Sequence, residues 1–178
     1  MEFQSRIRNL IIVSLFLAGG IALNLIEPPI LFFIAPGIKI GIANIATLIT
    51  LFYFGPTYSL VVGILRPIIV SLIKGNFLTL EFILSFSGSF LATIFMIFFK
   101  KIFKDKISII GVSMIGGIMH NIGQFIMVLY ISKIEYLFYY LPILIVFGGI
   151  SGFTIGYVSK FLLKRLKEYE DEKKRTPF

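Results

Sequence analysis

The stretch SIIGVSMIGGIMHNIGQFIMVLYI (108–131) decides what kind of protein this is. It contains no Asp, Glu, Lys or Arg, and it is long enough as a helix to cross a hydrocarbon core of roughly 30 Å. Five further apolar stretches can be placed around it, at about 7–26, 38–54, 57–73, 80–99 and 137–161. A closed β-barrel requires alternating polar and apolar residues, and these runs do not alternate, so each is read as a helix. The sequence therefore predicts an all-α integral membrane protein, a bundle of six transmembrane helices in one domain spanning 1–178.

Composition agrees. Of the 178 residues, 57% are hydrophobic and only 15% charged, well below the quarter charged of an average soluble domain. The connections hold turn formers: Glu27-Pro28-Pro29, Pro36-Gly37, Gly55-Pro56 and Lys74-Gly75-Asn76. From Lys164 to Phe178 the chain is charged, and it should carry the last helix out into water. The first apolar run follows Arg6 and Arg8 and is longer than a signal-peptide core, so it is expected to be retained.

The net charge of +8 suggests nucleic acid in a soluble protein. Here the basic residues flank apolar runs, which favours a topological meaning and no nucleic-acid partner. With six spans both termini share a side. The opposite side has only Lys39, Lys74 and Lys133, with Arg66 inside a span, and the rest of the 17 Lys and Arg fall on the terminal side. Both termini are therefore expected in the cytoplasm, and the protein in the plasma membrane.

Polar groups at membrane depth are the candidate functional residues. Arg66 lies near the middle of the third span, where a cation costs a few kcal/mol and should face a cavity or a partner. Glu81, at the outer start of the fourth span, is a candidate ion-pair partner. His120 and Gln124 are one helical turn apart, with Asn121 beside them. All three either line a site or hold helices together. Asn24, Asn44, Ser85 and Ser87 also fall in outer half-spans, so the polar inventory gathers on the side away from the termini. Cations outnumber carboxylates there, which favours an anionic ligand.

Several chemistries lack their residues. There is no cysteine, and the single histidine has no companion ligand, so no metal site is expected. No Walker A pattern is present, and the only aspartates, Asp105 and Asp171, are isolated, whereas magnesium-dependent diphosphate chemistry uses clustered carboxylates. No cofactor and no catalytic residue is assigned. Small residues recur every fourth position at Ser14, Ala18 and Ala22, and again at Gly148, Gly152 and Gly156, a spacing that lets helices approach closely.

Three segments carry a family resemblance: Gly37-Ile-Lys-Ile-Gly-Ile-Ala-Asn44, then Leu65-Arg66-Pro67 through Gly75-Asn76-Phe77 to Ser85-Phe86-Ser87-Gly88, and Gly116-Gly117-Ile-Met-His120-Asn121-Ile-Gly123-Gln124. Over about residues 10–160 the chain resembles the Gx transporter family, also labelled heptaprenyl diphosphate synthase component I. That family is similar to the substrate-binding S components of energy-coupling factor (ECF) transporters. The resemblance implies six helices, a pocket opening outward, and a first outer loop, here Glu27–Lys39, acting as a lid. It implies docking through Ala18 and Ala22 to a separate coupling subunit that works with two ATPase subunits. The substrate would be a vitamin or a cofactor or isoprenoid-quinone precursor, held by Asn44, Arg66, Glu81, His120, Asn121 and Gln124. The alternative is a non-catalytic membrane subunit of a polyprenyl diphosphate synthase. A self-contained secondary transporter would want a mid-depth carboxylate, and no span supplies one.

Overall fold

The computed structural model describes residues 2–27 and 41–175. Among these residues six α-helices follow one another: α1 Glu2–Ile26, α2 Asn44–Tyr53, α3 Pro56–Lys74, α4 Leu80–Phe103, α5 Ile109–Ser132 and α6 Leu141–Arg175. Short 3-10 turns at Lys104–Lys106 and Glu135–Tyr140 lead into α5 and α6. All but α2 are long and apolar enough to cross a membrane. The second expected span, 38–54, is helical only from Asn44, because 41–43 form a turn, and 38–40 lie outside the described residues. The charged tail continues α6 as helix to Arg175, as its composition predicts.

Local chemistry sets the helix ends. α3 starts with Pro56 in its first turn, where a missing N–H costs nothing, behind Gly55 at φ 96°. It stops at Gly75, whose φ of 67° is the left-handed conformation that closes a helix. α5 starts behind Ser108, whose hydroxyl accepts from the N–H of Gly111 at 3.0 Å.

Close contacts fix the packing. Gly63 of α3 meets Thr93 of α4, Gly116 of α5 meets Met96 of α4, and Gly117 meets Gly148 and Gly152 of α6. Numbers rise on one helix as they fall on the next, so α3 to α6 alternate in direction. Gly20 of α1 meets Ala46 and the stem of Arg66, and Phe16 meets Phe54. α1 therefore runs against α2 and beside α3. Hence α1 begins and α6 ends at one end of the bundle, the terminal end. The end of α1 and the turns after α3 and α5 lie at the far end.

The glycine ladder of α6 is consumed inside the chain. A Cβ on Gly148 would stand 2.7 Å from the carbonyl oxygen of Gly117, one on Gly152 2.5 Å from that of Ser113, and one on Gly156 2.7 Å from Ile110 Cα. The ladder of α1 is not consumed, because Ser14, Ala18 and Ala22 are exposed. The apolar core joins Leu48, Leu51, Ala92, Met96, Val112 and Ile155. Large apolar side chains also cover the outside, including Leu15, Leu72, Phe98, Val146 and Phe153, the pattern of a lipid-facing surface.

Candidate functional site

Arg66 is 2% exposed and sits in the interior of α3. The residue after it explains how it is held. Pro67 lies inside the helix and has no N–H, so the carbonyl four residues earlier, on Gly63, loses its intrahelical donor. Ser89 of α4 supplies one, its hydroxyl donating to Gly63 O at 2.7 Å. The Ser89 hydroxyl oxygen in turn accepts from Arg66 Nη2 at 2.8 Å. The second Nη2 bond, also 2.8 Å, goes to Asn44 Oδ1 at the start of α2. One guanidinium nitrogen thus ties three helices together at a depth where unmet polar groups are costly.

The rest of the guanidinium is uncommitted. Nε and Nη1 of Arg66 are buried and have no hydrogen-bond partner among the described residues. Glu27, just past α1, is close enough for its charge to act on Arg66. One oxygen of Glu27 accepts from the backbone N–H groups of Gly41 and of Ile42, the latter at 3.2 Å. α2 has no acidic residue in its own first turn, so Glu27 supplies the negative charge its N-terminus favours. The other oxygen, Oε2, is buried without a partner among the described residues. A charged donor and a charged acceptor, each with spare capacity, therefore share one region.

α4 separates this cluster from a second one. Next to Ser89, Gly88 faces α5, where a Cβ would stand 2.9 Å from Gln124 Cγ and 3.0 Å from His120 Cε1. Those two residues contact each other, Gln124 Nε2 lying 3.2 Å from His120 Nε2. Asn121 turns the other way and donates to the Leu144 carbonyl of α6 at 2.9 Å. Of the residues singled out by sequence, Asn44 and Arg66 come together, and His120 and Gln124 form a neighbouring pair. Asn121 joins α5 to α6. Glu81 is at the far end, 3.6 Å from Lys74 Nζ and accepting from Asn76 at 2.8 Å, so it is not a hydrogen-bonded partner of Arg66. The expected lid lies outside the described residues apart from Glu27. Ser89 and Glu27 were not among the candidates, although Pro67 implies an orphan carbonyl that some neighbouring donor must meet.

A polar crevice reaches toward the cluster from the far end, between α1, α3 and α4. Asn24, Pro67, Ser71, Asn76, Glu81 and Ser85 are among its lining residues. Asn24 Oδ1 and Asn76 Oδ1 have no hydrogen-bond partner among the described residues. The crevice holds about 10 Å³, the room of a single water.

Long apolar helices with an apolar exterior and a charged knot buried between them define a helical integral membrane protein. Within that class the chain belongs to the heptaprenyl diphosphate synthase component I family, whose model matches residues 16–162. No curated protein and no solved structure matches the chain.

Proposed function

We propose that the protein is the substrate-binding S component of an ECF-type uptake transporter. Its ligand is a vitamin or a cofactor or isoprenoid-quinone precursor that carries negative charge. The observation behind this reading is Arg66. Two of its N–H bonds build the knot, and a shorter amide could serve there, yet a full guanidinium is kept at depth with Nε and Nη1 unspent. A ligand carboxylate or phosphate suits those positions.

The lysine and arginine distribution favours cytoplasmic termini, and with them a crevice that opens to the outside. A crevice the size of one water requires α1 to part from α3 and α4 before a ligand is admitted. α1 is the least buried of the membrane-length helices, which makes it the cheapest to move. In this reading the chain catalyses no reaction, and ATP hydrolysis belongs to two ATPase subunits joined through a coupling subunit.

The family description favours a second reading, a membrane subunit of a polyprenyl diphosphate synthase. The test is mass spectrometry of small molecules retained by purified parent and Arg66→Ala protein, with identification of copurifying chains. Uptake predicts a retained anion lost in the variant, together with ATPase partners. Equal retention by both proteins removes Arg66 from the site. Copurification of a soluble synthase subunit in place of ATPases favours the second reading.

A further inference from the structure

At the terminal end, away from the crevice, a cavity of about 480 Å³ opens between the end of α2, the start of α3 and the end of α4. Leu51, Phe52 and Ile97 form an apolar wall, and Lys100, Lys101 and Lys104 stand around it. One carboxylate, Asp105, belongs to the same lining, so the cavity is cationic.

Each lysine is placed by something specific. Lys100 is half-buried, with its Nζ 3.5 Å from the centroid of the Phe52 ring, so its ammonium lies on the apolar wall. Its charge interacts with Asp105 and, to a lesser degree, with Lys167 of α6, which adds a like charge. Lys104 has φ 46° and ψ −115°, a strained conformation rare for any residue but glycine. Its N–H closes α4 on the carbonyl of Lys100, and this strained turn keeps Lys104 beside Lys100 and Lys101. The adjoining start of α3 has no acidic residue in its first turn and no side-chain cap, so its partial positive charge is unanswered.

We propose that this cavity binds a phosphate group carried on an apolar chain, the lysines taking the phosphate and the wall of Leu51, Phe52 and Ile97 taking the first carbons. Crowded like charges become favourable when an anion sits among them, and basic pockets between membrane helices suit phosphorylated head groups. An anionic phospholipid and a soluble phosphate compound share this head-group chemistry. The cavity's apolar wall gives the lipid the advantage. This inference does not rest on the uptake reading.

The sequence contains no tryptophan, so Phe52→Trp creates a single fluorescent reporter on the wall and keeps an aromatic face for Lys100. The full chain carrying this change is titrated in detergent with dioctanoyl phosphatidic acid, dioctanoyl phosphatidylcholine and inorganic pyrophosphate. Phosphatidic acid is expected to shift the emission saturably. Neutralising Lys100, Lys101 and Lys104 to Gln is expected to weaken binding by roughly fivefold per lysine, whereas arginine at all three positions preserves it. Should the triple change impair folding, Lys101→Gln alone tests the same point. Phosphatidic acid binding more tightly than pyrophosphate identifies the lipid as the source of the phosphate. Equal affinities would mean that the apolar wall takes no part, and would overturn the proposal in favour of a soluble phosphate compound. Equal binding of phosphatidylcholine and phosphatidic acid, unchanged affinity in the Gln variants, or an equal loss in the remote Lys133→Gln control overturns the proposal.

Discussion

The Ser89 hydroxyl donates to the Gly63 carbonyl at 2.7 Å, across the gap between α4 and α3, where Pro67 has removed the ordinary donor. Ser89→Ala should therefore leave that carbonyl unmet and take an acceptor from Arg66, costing about 1–3 kcal/mol. Pro67→Ala restores an N–H four residues after Gly63. In thermal unfolding in detergent, the Ser89 change should cost less in the Pro67→Ala background than in the parent. An identical loss in both would mean that proline and serine are not coupled.

The α5–α6 contact gives a comparison within one helix pair. A Cβ on Gly117 would stand 2.2 Å from the backbone oxygen of Gly148, whereas one on Gly149 meets nothing nearer than Ile118 Cδ1 at 3.9 Å. Gly117→Ala is expected to cost about 1–3 kcal/mol through forced separation of the helices. Gly149→Ala should be close to neutral in the same melt.

Asn121 separates holding from binding. Its side chain donates to Leu144 O, and interhelical bonds of this kind in membranes contribute about 0.6 kcal/mol. Asn121→Ala should lower the melting temperature slightly and leave the retained small molecule unchanged. Loss of the ligand at unaltered stability would move Asn121 into the site.

Ala18 and Ala22 face outward on α1, while Gly20 between them faces Arg66 and Ala46. Under the uptake reading, Ala18→Phe fills the exposed small face without touching the interior. Stability should stay within about 0.5 kcal/mol of the parent, and copurifying ATPase subunits should disappear. A variant that still brings them down excludes this face as the dock.

Much of the fold was readable because lipid imposes one requirement on every segment that crosses it. Long apolar runs with at most one charge each marked α1, α3, α4, α5 and α6 to within a few residues at most ends. They could not mark the start of α2, since Gly41 to Ala43 are as apolar as the helix they precede. The site was less readable. Arg66 and Asn44 stood out by their cost, but which neighbour each would find depends on rotation about a helix axis. Glu81 seemed the natural partner by charge, yet it lies beyond the end of the helix from Arg66 and pairs with Lys74. The role of Ser89 followed from the chemistry of Pro67, which concerns a carbonyl rather than any side chain. The two small-residue ladders looked alike in sequence, and only packing distinguishes the ladder used within the chain from the one left exposed.

α6 runs for 35 residues, about 52 Å of helix, whereas the hydrocarbon core needs roughly 30 Å. Pairing of Lys164 and Arg165 with Glu168 helps it persist beyond the lipid. The bundle therefore carries a stiff spar reaching about two nanometres into the aqueous phase. Any soluble companion approaching the membrane here meets that spar before it meets the lipid. A tilt of α6 within the bilayer would swing its tip through a wider arc than the buried half, so small rearrangements among the helices would register as larger displacements at the membrane surface.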